Sequence, residues 1–437
     1  MISERKENIN YANNTKTFSM VYYPESHRDI KKIISQKKNF IFQGNKKSYG
    51  DVGSNNHMLV SMKNFNKIIH FDKKKGIVEA ESGLLLKDLL EIIAPAGWFI
   101  PVTPGTKYVS LGGMVANNVH GKNTKKNQIK YCVKKINLIT PKNKEIICSK
   151  KINKKLFDLT IGGYGLTGAI VTITLQLKKI LSENIEQKII EFKNFKEFYS
   201  ISKINKNFEY SVCWIDNFTG DNIKGLYFLG NHSKQIKQPK IKLISAKIMG
   251  PLFLIMFRII FSNFYFPKLM TLIFRNYKKR IYNKICHYNE YFYPQDNMPY
   301  WNKIYGSNGF VALQFLIPNN KFKKILGEIS NFLKENKIFS DFVILKKFNE
   351  SGKYLNFSGS GYSISFHFIK DKKYESLKRF INNLFKKYKI KVNFSKDLMT
   401  DKNNAHNYRE FKSFKKNLLN IDSRKKMSSL FSKRLGI

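Results

Sequence analysis

The chain has 437 residues, with 78 Lys and Arg against 31 Asp and Glu, a formal net charge of +47. At 42% hydrophobic and 14% aromatic residues it can bury a large core, which excludes global disorder in spite of the charge. Its length suits two or three domains. Lys, Asn and Ile are used throughout, so part of the charge is compositional background, and its distribution says more than its total.

In chain order, residues 1–7 lack the apolar stretch of a signal peptide. From Thr17 to about Lys178, short β-branched runs alternate with glycine-bearing turns, a pattern that predicts an α+β fold. Helices are expected at 27–37, 85–94 and 154–161, with a short one beginning at Met114. Strands are expected at 40–42, 76–80 and 169–174, the last extending to 177. Between 181 and 390 glycines thin out, and aromatic strands at 210–214 and 311–315 mix with Lys-rich amphipathic helices, which suggests a second domain. Cys132, Cys148, Cys213 and Cys286 show no CxxC spacing. That argues against a zinc cluster or disulfide framework and suits a reduced, cytoplasmic setting; no metal site is expected.

From Asn222 to Asn289 there is no Asp or Glu, while thirteen Lys and Arg are interleaved with Leu252, Phe253, Phe257, Phe261, Phe264 and other bulky apolar residues. The best apolar run, 248–257, is followed by Arg258 and falls short of the ~20 residues that a bilayer span needs. Cations beside apolar groups suit an anionic headgroup interface, where each Lys or Arg is worth ~1 kcal/mol. A basic helical hairpin folded onto its own domain accounts for the segment equally well. No nucleic-acid motif accompanies the charge, so no nucleic-acid partner is expected.

Three glycine-bearing stretches fall in the first 170 residues: Gly44 to Asp51, Pro104-Gly105-Thr106 leading to Gly112-Gly113, and Gly162 to Gly168. The third contains a literal GxGxxG. A Rossmann fingerprint needs strand, glycines, then helix, whereas here a helix precedes and a strand follows. Glycine turns can still bring backbone N–H groups onto a phosphate without that topology.

The run Val102 to Thr106, Gly112-Gly113, Asn118-Val119-His120-Gly121-Lys122-Asn123 and Gly162 to Gly168 resembles the FAD-binding domain of vanillyl-alcohol-oxidase-type flavoproteins. More narrowly, it resembles the decaprenylphosphoryl-ribose 2-epimerase oxidase family. The likeness continues through Tyr210 to Asp216, Phe292-Tyr293-Pro294, Tyr300-Trp301-Asn302, Gly309 to Pro318, Ser395-Lys396-Asp397 and Phe431 to Leu435. The resemblance implies a two-domain α+β fold of the PCMH type. An FAD domain at 1–180 and a C-terminal segment at 391–437 would enclose an antiparallel-sheet substrate domain at 181–390.

It further implies that Ser48, Tyr49, Gly50, Asp51, Pro104, Gly105, Thr106, Gly112, Gly113, Asn118, His120, Gly121, Gly163, Gly165 and Gly168 line the cofactor. Some relatives attach FAD through a histidine; the narrower family does not, and Ser48 precedes Tyr49-Gly50, so noncovalent FAD is expected. Lys396 and His120 are the catalytic candidates. Alcohol oxidation on a flavin requires removal of the hydroxyl proton, and Lys396 is either the base or a charged group that binds substrate. His120 acts directly or as a supporting histidine. Tyr49, Lys122, Trp214, Gln314, Lys346, Ser363, Ser365 and Lys396 match substrate-pocket positions. Two departures stand out: Ala312-Leu313-Gln314 replaces a Gln-x-Gln, and Ser363-Ile364-Ser365 replaces an Asn-x-Cys.

The expected activity is FAD-dependent oxidation of the 2′-hydroxyl of a polyprenylphosphoryl pentose, on the way to the arabinose of cell wall arabinan. A partner NAD(P)H-dependent short-chain reductase would complete the epimerisation, and the protein would sit peripherally at the inner face of the plasma membrane. The alternatives are an aldonolactone or other sugar-alcohol oxidase acting on a soluble substrate, and a nonenzymatic basic protein that binds membrane or nucleic acid. A flavin spectrum separates the last from the enzymes.

Overall fold

The N-terminal hairpin pairs Ile2–Ile9 with Lys16–Tyr23, and Ser26 then caps the helix His27–Gln36 by accepting from Asp29 N. That helix buries Ile30, Ile33 and Ile34, one stripe at helical spacing. In this computed structural model, which describes residues 1–219, 222–235, 283–297, 301–303, 305–340, 343–350, 352–357, 359–406, 408 and 410–437, the stripe joins the first core against a four-stranded sheet. Its order is Ile2–Ile9, Lys16–Tyr23, Met58–Ser61, Phe40–Gln43, the last two strands being parallel.

A second, antiparallel sheet has the order Ile68–Asp72, Ile77–Glu81, Ala169–Gln176, Val133–Ile139, Glu145–Ser149. Its central strand is the β-branched run after the third glycine stretch. Seven of its eight residues are buried, as a strand covered on both faces requires. The helices Leu86–Ile93, Leu111–Ala116 and Lys154–Thr160 contribute to the same core.

A third sheet of eight strands is antiparallel throughout: Asn283–His287, Asn184–Phe192, Asn222–His232, Tyr210–Thr219, Val343–Glu350, Gly359–Ile369, Phe310–Ile317, Lys391–Val392. The helices Phe195–Ile204, Phe322–Glu335 and Tyr374–Tyr388 share a core with it. Leu226, Trp214, Ile344, Ser365 and Gln314 form one cross-strand row. After Val392 the chain crosses back to the N-terminal portion. Phe40 pairs with Met427, Asn55 Nδ2 donates to Ser428 O at 2.7 Å, and Arg434 reaches Asp51.

The acid-free segment begins and ends in this sheet, as the strands Asn222–His232 and Asn283–His287. Its interior, 236–282, lies outside the described residues, as does Tyr300. The helical-hairpin and headgroup readings therefore fall on undescribed residues. The helix expected from Met114 starts earlier, at Leu111, because Ser110 caps it by accepting from Gly113 N. Among the described residues, no helix is long and apolar enough to cross a membrane, and all four cysteines are buried free thiols.

Candidate active site

The three glycine stretches converge on one cavity of about 740 Å³, whose other wall is the large sheet. Of the residues named from sequence for the cofactor, Ser48, Tyr49, Gly50, Pro104, Gly105, Thr106, Gly112, Gly113, His120, Gly165 and Gly168 border it. Asp51, Asn118, Gly121 and Gly163 do not. Asp51 faces away and accepts from Arg434 Nε and Nη2, each at 3.0 Å. Asn118 is a positive-φ residue behind the wall, bonded to Asn356 and Lys130 N. Gly121 and Gly163 are required by close packing: an added Cβ would lie 2.6 Å from Thr103 O or 2.3 Å from Leu159 O.

The substrate-side residues Tyr49, Lys122, Trp214, Gln314, Lys346, Ser365 and Lys396 also border the cavity, whereas Ser363 sits behind it and accepts from Gln314 Nε2. Lys396 and Lys346 are half-buried and form no ion pair among the described residues. Burial pushes Lys396 down to about 8, and Lys346 is held well below the ordinary lysine range by burial, then by Lys396 and Lys122. Lys396 Nζ lies 5.5 Å from the centre of the Tyr49 ring. Lys122 is tied to the carbonyl oxygens of Tyr291 and Phe292.

His120 packs between Phe348 and Phe357, with ring centres 5.3 and 5.9 Å away, and its Nε2 lies 2.9 Å from Gln314 Oε1. Burial, then Lys346 and Lys396, keep the imidazole neutral. His367 stacks on Trp301 at 6.1 Å and is also neutral, pushed down to about 3 by burial.

Sequence reasoning passed over the N-terminal turn, which brings Asn8 and Asn10 to the cavity. It also passed over Asn393, and it quoted Ser395 beside Lys396 without giving it a role; both border the cavity. Lys46 and Lys47 lay inside a quoted stretch but had no role; both border the cavity, and burial lowers both.

The cavity fits an elongated dinucleotide. Its size lies within the range of cofactor sites. Lys46 and Lys47 stand beside the glycine loops. The buried Ser82 Oγ, Asn117 Oδ1 and Gln43 Oε1 on its wall have no hydrogen-bond partner in the protein, as groups awaiting a polar ligand would.

Residues 18–149 match the family described as FAD binding domain. Decaprenylphosphoryl-beta-D-ribose oxidase of Mycolicibacterium smegmatis is 28% identical over 325 residues, covering 68% of this chain and 69% of that protein. D-lactate dehydrogenase of Anaerostipes hadrus is 29% identical over 165 residues, 33% of this chain and 34% of its own. L-gulonolactone oxidase of Mus musculus is 24% identical over 176 residues, 38% of this chain and 40% of its own. The chain carries an FAD-binding domain, is an FAD-dependent oxidoreductase acting on CH–OH groups, and resembles the vanillyl-alcohol-oxidase-type flavoproteins, decaprenylphosphoryl-beta-D-ribose oxidase among them.

Proposed function

We propose that the protein oxidises the 2′-hydroxyl of a polyprenylphosphoryl pentose to a ketone. The observation that carries this reading is the two-part character of the sheet wall. Trp214, Phe228 and Ile344 give it an apolar stretch, and Lys346 and Lys396 give it cations without carboxylate partners among the described residues. A lipid phosphate satisfies both parts; a free lactone satisfies neither the charge nor the apolar area. The length of the ribose-oxidase match supports the same choice. Its 325 residues exceed what 1–180 and 391–437 can supply, so it reaches into the sheet, whereas the lactone-oxidase match is little over half as long.

The hydride acceptor for the sugar carbon would be supplied by bound FAD. Lys396, with its value near 8, holds a neutral amine in a large enough fraction to take the hydroxyl proton. Lys346 and Lys122 bind the anionic end of the substrate, and Trp214 with Phe228 seats its apolar part. Flavin held by backbone and polar groups needs no covalent bond, and it is proposed to be noncovalent. A ketone product calls for a hydride donor to complete an inversion, which assigns the partner to the NAD(P)H-dependent short-chain reductases. The segment 222–289 delivers the lipid from an anionic membrane surface.

Anaerobic mixing with polyprenylphosphoryl ribose is expected to bleach the flavin. Bleaching by a free aldonolactone and not by the glycolipid would overturn the reading in favour of a lactone oxidase.

A further inference from the structure

The polar groups behind His120 orient one another. Ser395 N donates to Asn393 Oδ1 at 3.3 Å, and Ser395 Oγ lies 2.7 Å from the same atom. A backbone N–H only donates, so the atom facing it is the carboxamide oxygen, and Asn393 Nδ2 is left to donate to Gln314 at 2.9 Å. The Gln314 atom receiving that bond is therefore its oxygen, which places Gln314 Nε2 against Ser363 Oγ at 2.8 Å. His120 Nε2 meets the same Gln314 oxygen at 2.9 Å. An amide oxygen only accepts, so Nε2 carries a proton.

His120, Gln314, Asn393 and Ser363 are at most 8% exposed, so these hydrogen bonds are shielded from bulk solvent on every side but the cavity. The charged groups facing His120 are Lys346 and Lys396, and both disfavour a second proton on the ring. The other contact favouring a ring proton, to the Gly121 backbone, falls outside hydrogen-bond geometry. A single proton thus resides on Nε2, and it is committed to Gln314.

We propose that Asn393 is a positioning residue that fixes His120 as its Nε2–H tautomer through Gln314. This withholds His120 from proton exchange with the substrate and leaves that task to Lys396, whose backbone N–H donates to Asn393 O at 3.0 Å. The last clause rests on the proposed function; the tautomer does not.

The test is nitrogen NMR of the holoenzyme carrying isotope-labelled histidine, with the His120 signal assigned by its loss in His120→Gln. The wild type is expected to show a protonated Nε2 and an unprotonated Nδ1. In Asn393→Asp, read above neutral pH, the carboxylate cannot donate. Gln314 then turns its NH2 toward it, and His120 faces a donor, so the protonated and unprotonated signals are expected to exchange between the two ring nitrogens. A wild type protonated at Nδ1, or an Asn393→Asp spectrum that keeps Nε2–H, overturns the proposal. Should that variant not fold, Gln314→Glu serves. Its carboxylate accepts from both Asn393 and His120, so His120 is expected to carry both protons at a pH where the wild type carries one; a ring that stays neutral overturns the proposal. A merely structural Asn393 would alter stability without exchanging the nitrogens. Lys396→Met is expected to keep the wild-type His120 signals while abolishing flavin reduction by substrate. Persistent reduction there would sink the assignment of the base and leave the tautomer result standing.

Discussion

Arg434 offers the sharpest test of how the C-terminal segment supports the site. Its guanidinium donates to both oxygens of Asp51 at 3.0 Å, to Asp397 Oδ2 at 3.2 Å, to Asp397 O at 3.1 Å and to Thr400 O. Asp51 is 4% exposed and Asp397 is fully buried. The two acids flank the loops that carry Tyr49 and Lys396, and these loops are joined directly where Tyr49 N and Gly50 N donate to Ser395 O at 3.1 and 3.0 Å.

In Arg434→Met the two carboxylates lose their cation. Asp397 keeps the backbone N–H groups of Met399 and Thr400, so the larger deficit falls on Asp51. Breaking a buried pair from one side costs about 3–5 kcal/mol, a large part of the ~5–15 kcal/mol that holds a typical fold. Arg434→Lys should recover only part of this, because an ammonium cannot span Asp51 in a two-point contact. Adding Asp51→Asn to Arg434→Met removes the stranded charge and should restore about 1–2 kcal/mol. Urea unfolding followed by tryptophan fluorescence measures these differences, and FAD titration measures retention, which should weaken along with the loop junction. A loss below about 1 kcal/mol in Arg434→Met, or a double variant less stable than the single, would refute the assignment of Arg434 as the clamp.

The remaining predictions concern the cavity. Burial depresses Lys396 to about 8, so the neutral amine accumulates as pH rises through that value. The rate of anaerobic flavin reduction should climb about tenfold per pH unit below it and level off above, and a rate that falls with rising pH would contradict the base assignment. Lys346→Met should raise KM for the phosphorylated substrate about 10- to 100-fold, the equivalent of about 1.5–3 kcal/mol for a lost charged contact, with little change for an uncharged sugar in a steady-state comparison. Acid or heat denaturation should free all of the flavin into the supernatant; yellow colour precipitating with the protein would show a covalent link.

Much of the fold was legible because its signals are local. The helix that begins after Ser26 and the strand after Gly168 follow from spacing, capping and β-branched content within ten residues of one another. The glycine stretches were legible as a group, since each borders the same cavity. What could not be read was which member of a motif turns toward the cavity. Asp51, Asn118, Gly121 and Gly163 sit within stretches that reach the site, yet a one-residue step along a tight turn points a side chain the other way. Their true partners, Arg434, Asn356, Thr103 O and Leu159 O, lie 18 or more residues away or are backbone atoms without a sequence signature. Arg434 did leave a trace: in a chain with nine arginines among 78 basic residues, an arginine marks a place where a lysine's single point of charge does not serve.

The +47 charge also reads differently with the cavity in view. From sequence, the specific charge lay in the acid-free segment. The described structure shows a second concentration of cations. Lys46, Lys47, Lys122, Lys346 and Lys396 border the cavity, and Glu290, already paired with Lys284, is the one acidic residue on its wall among those described. Elsewhere lysines are matched by carboxylates, as in Lys178 with Glu209 or Lys154 and Lys353 with Asp158. Inside the cavity two of them are held by neutral acceptors: Lys46 by Asn8 Oδ1 at 2.6 Å, and Lys122 by two carbonyls. A neutral acceptor fixes an ammonium in place without cancelling its field, so the positive potential stays available to a ligand. An anionic dinucleotide and a phosphorylated substrate in one chamber require that arrangement, because carboxylates placed to anchor the lysines would repel both.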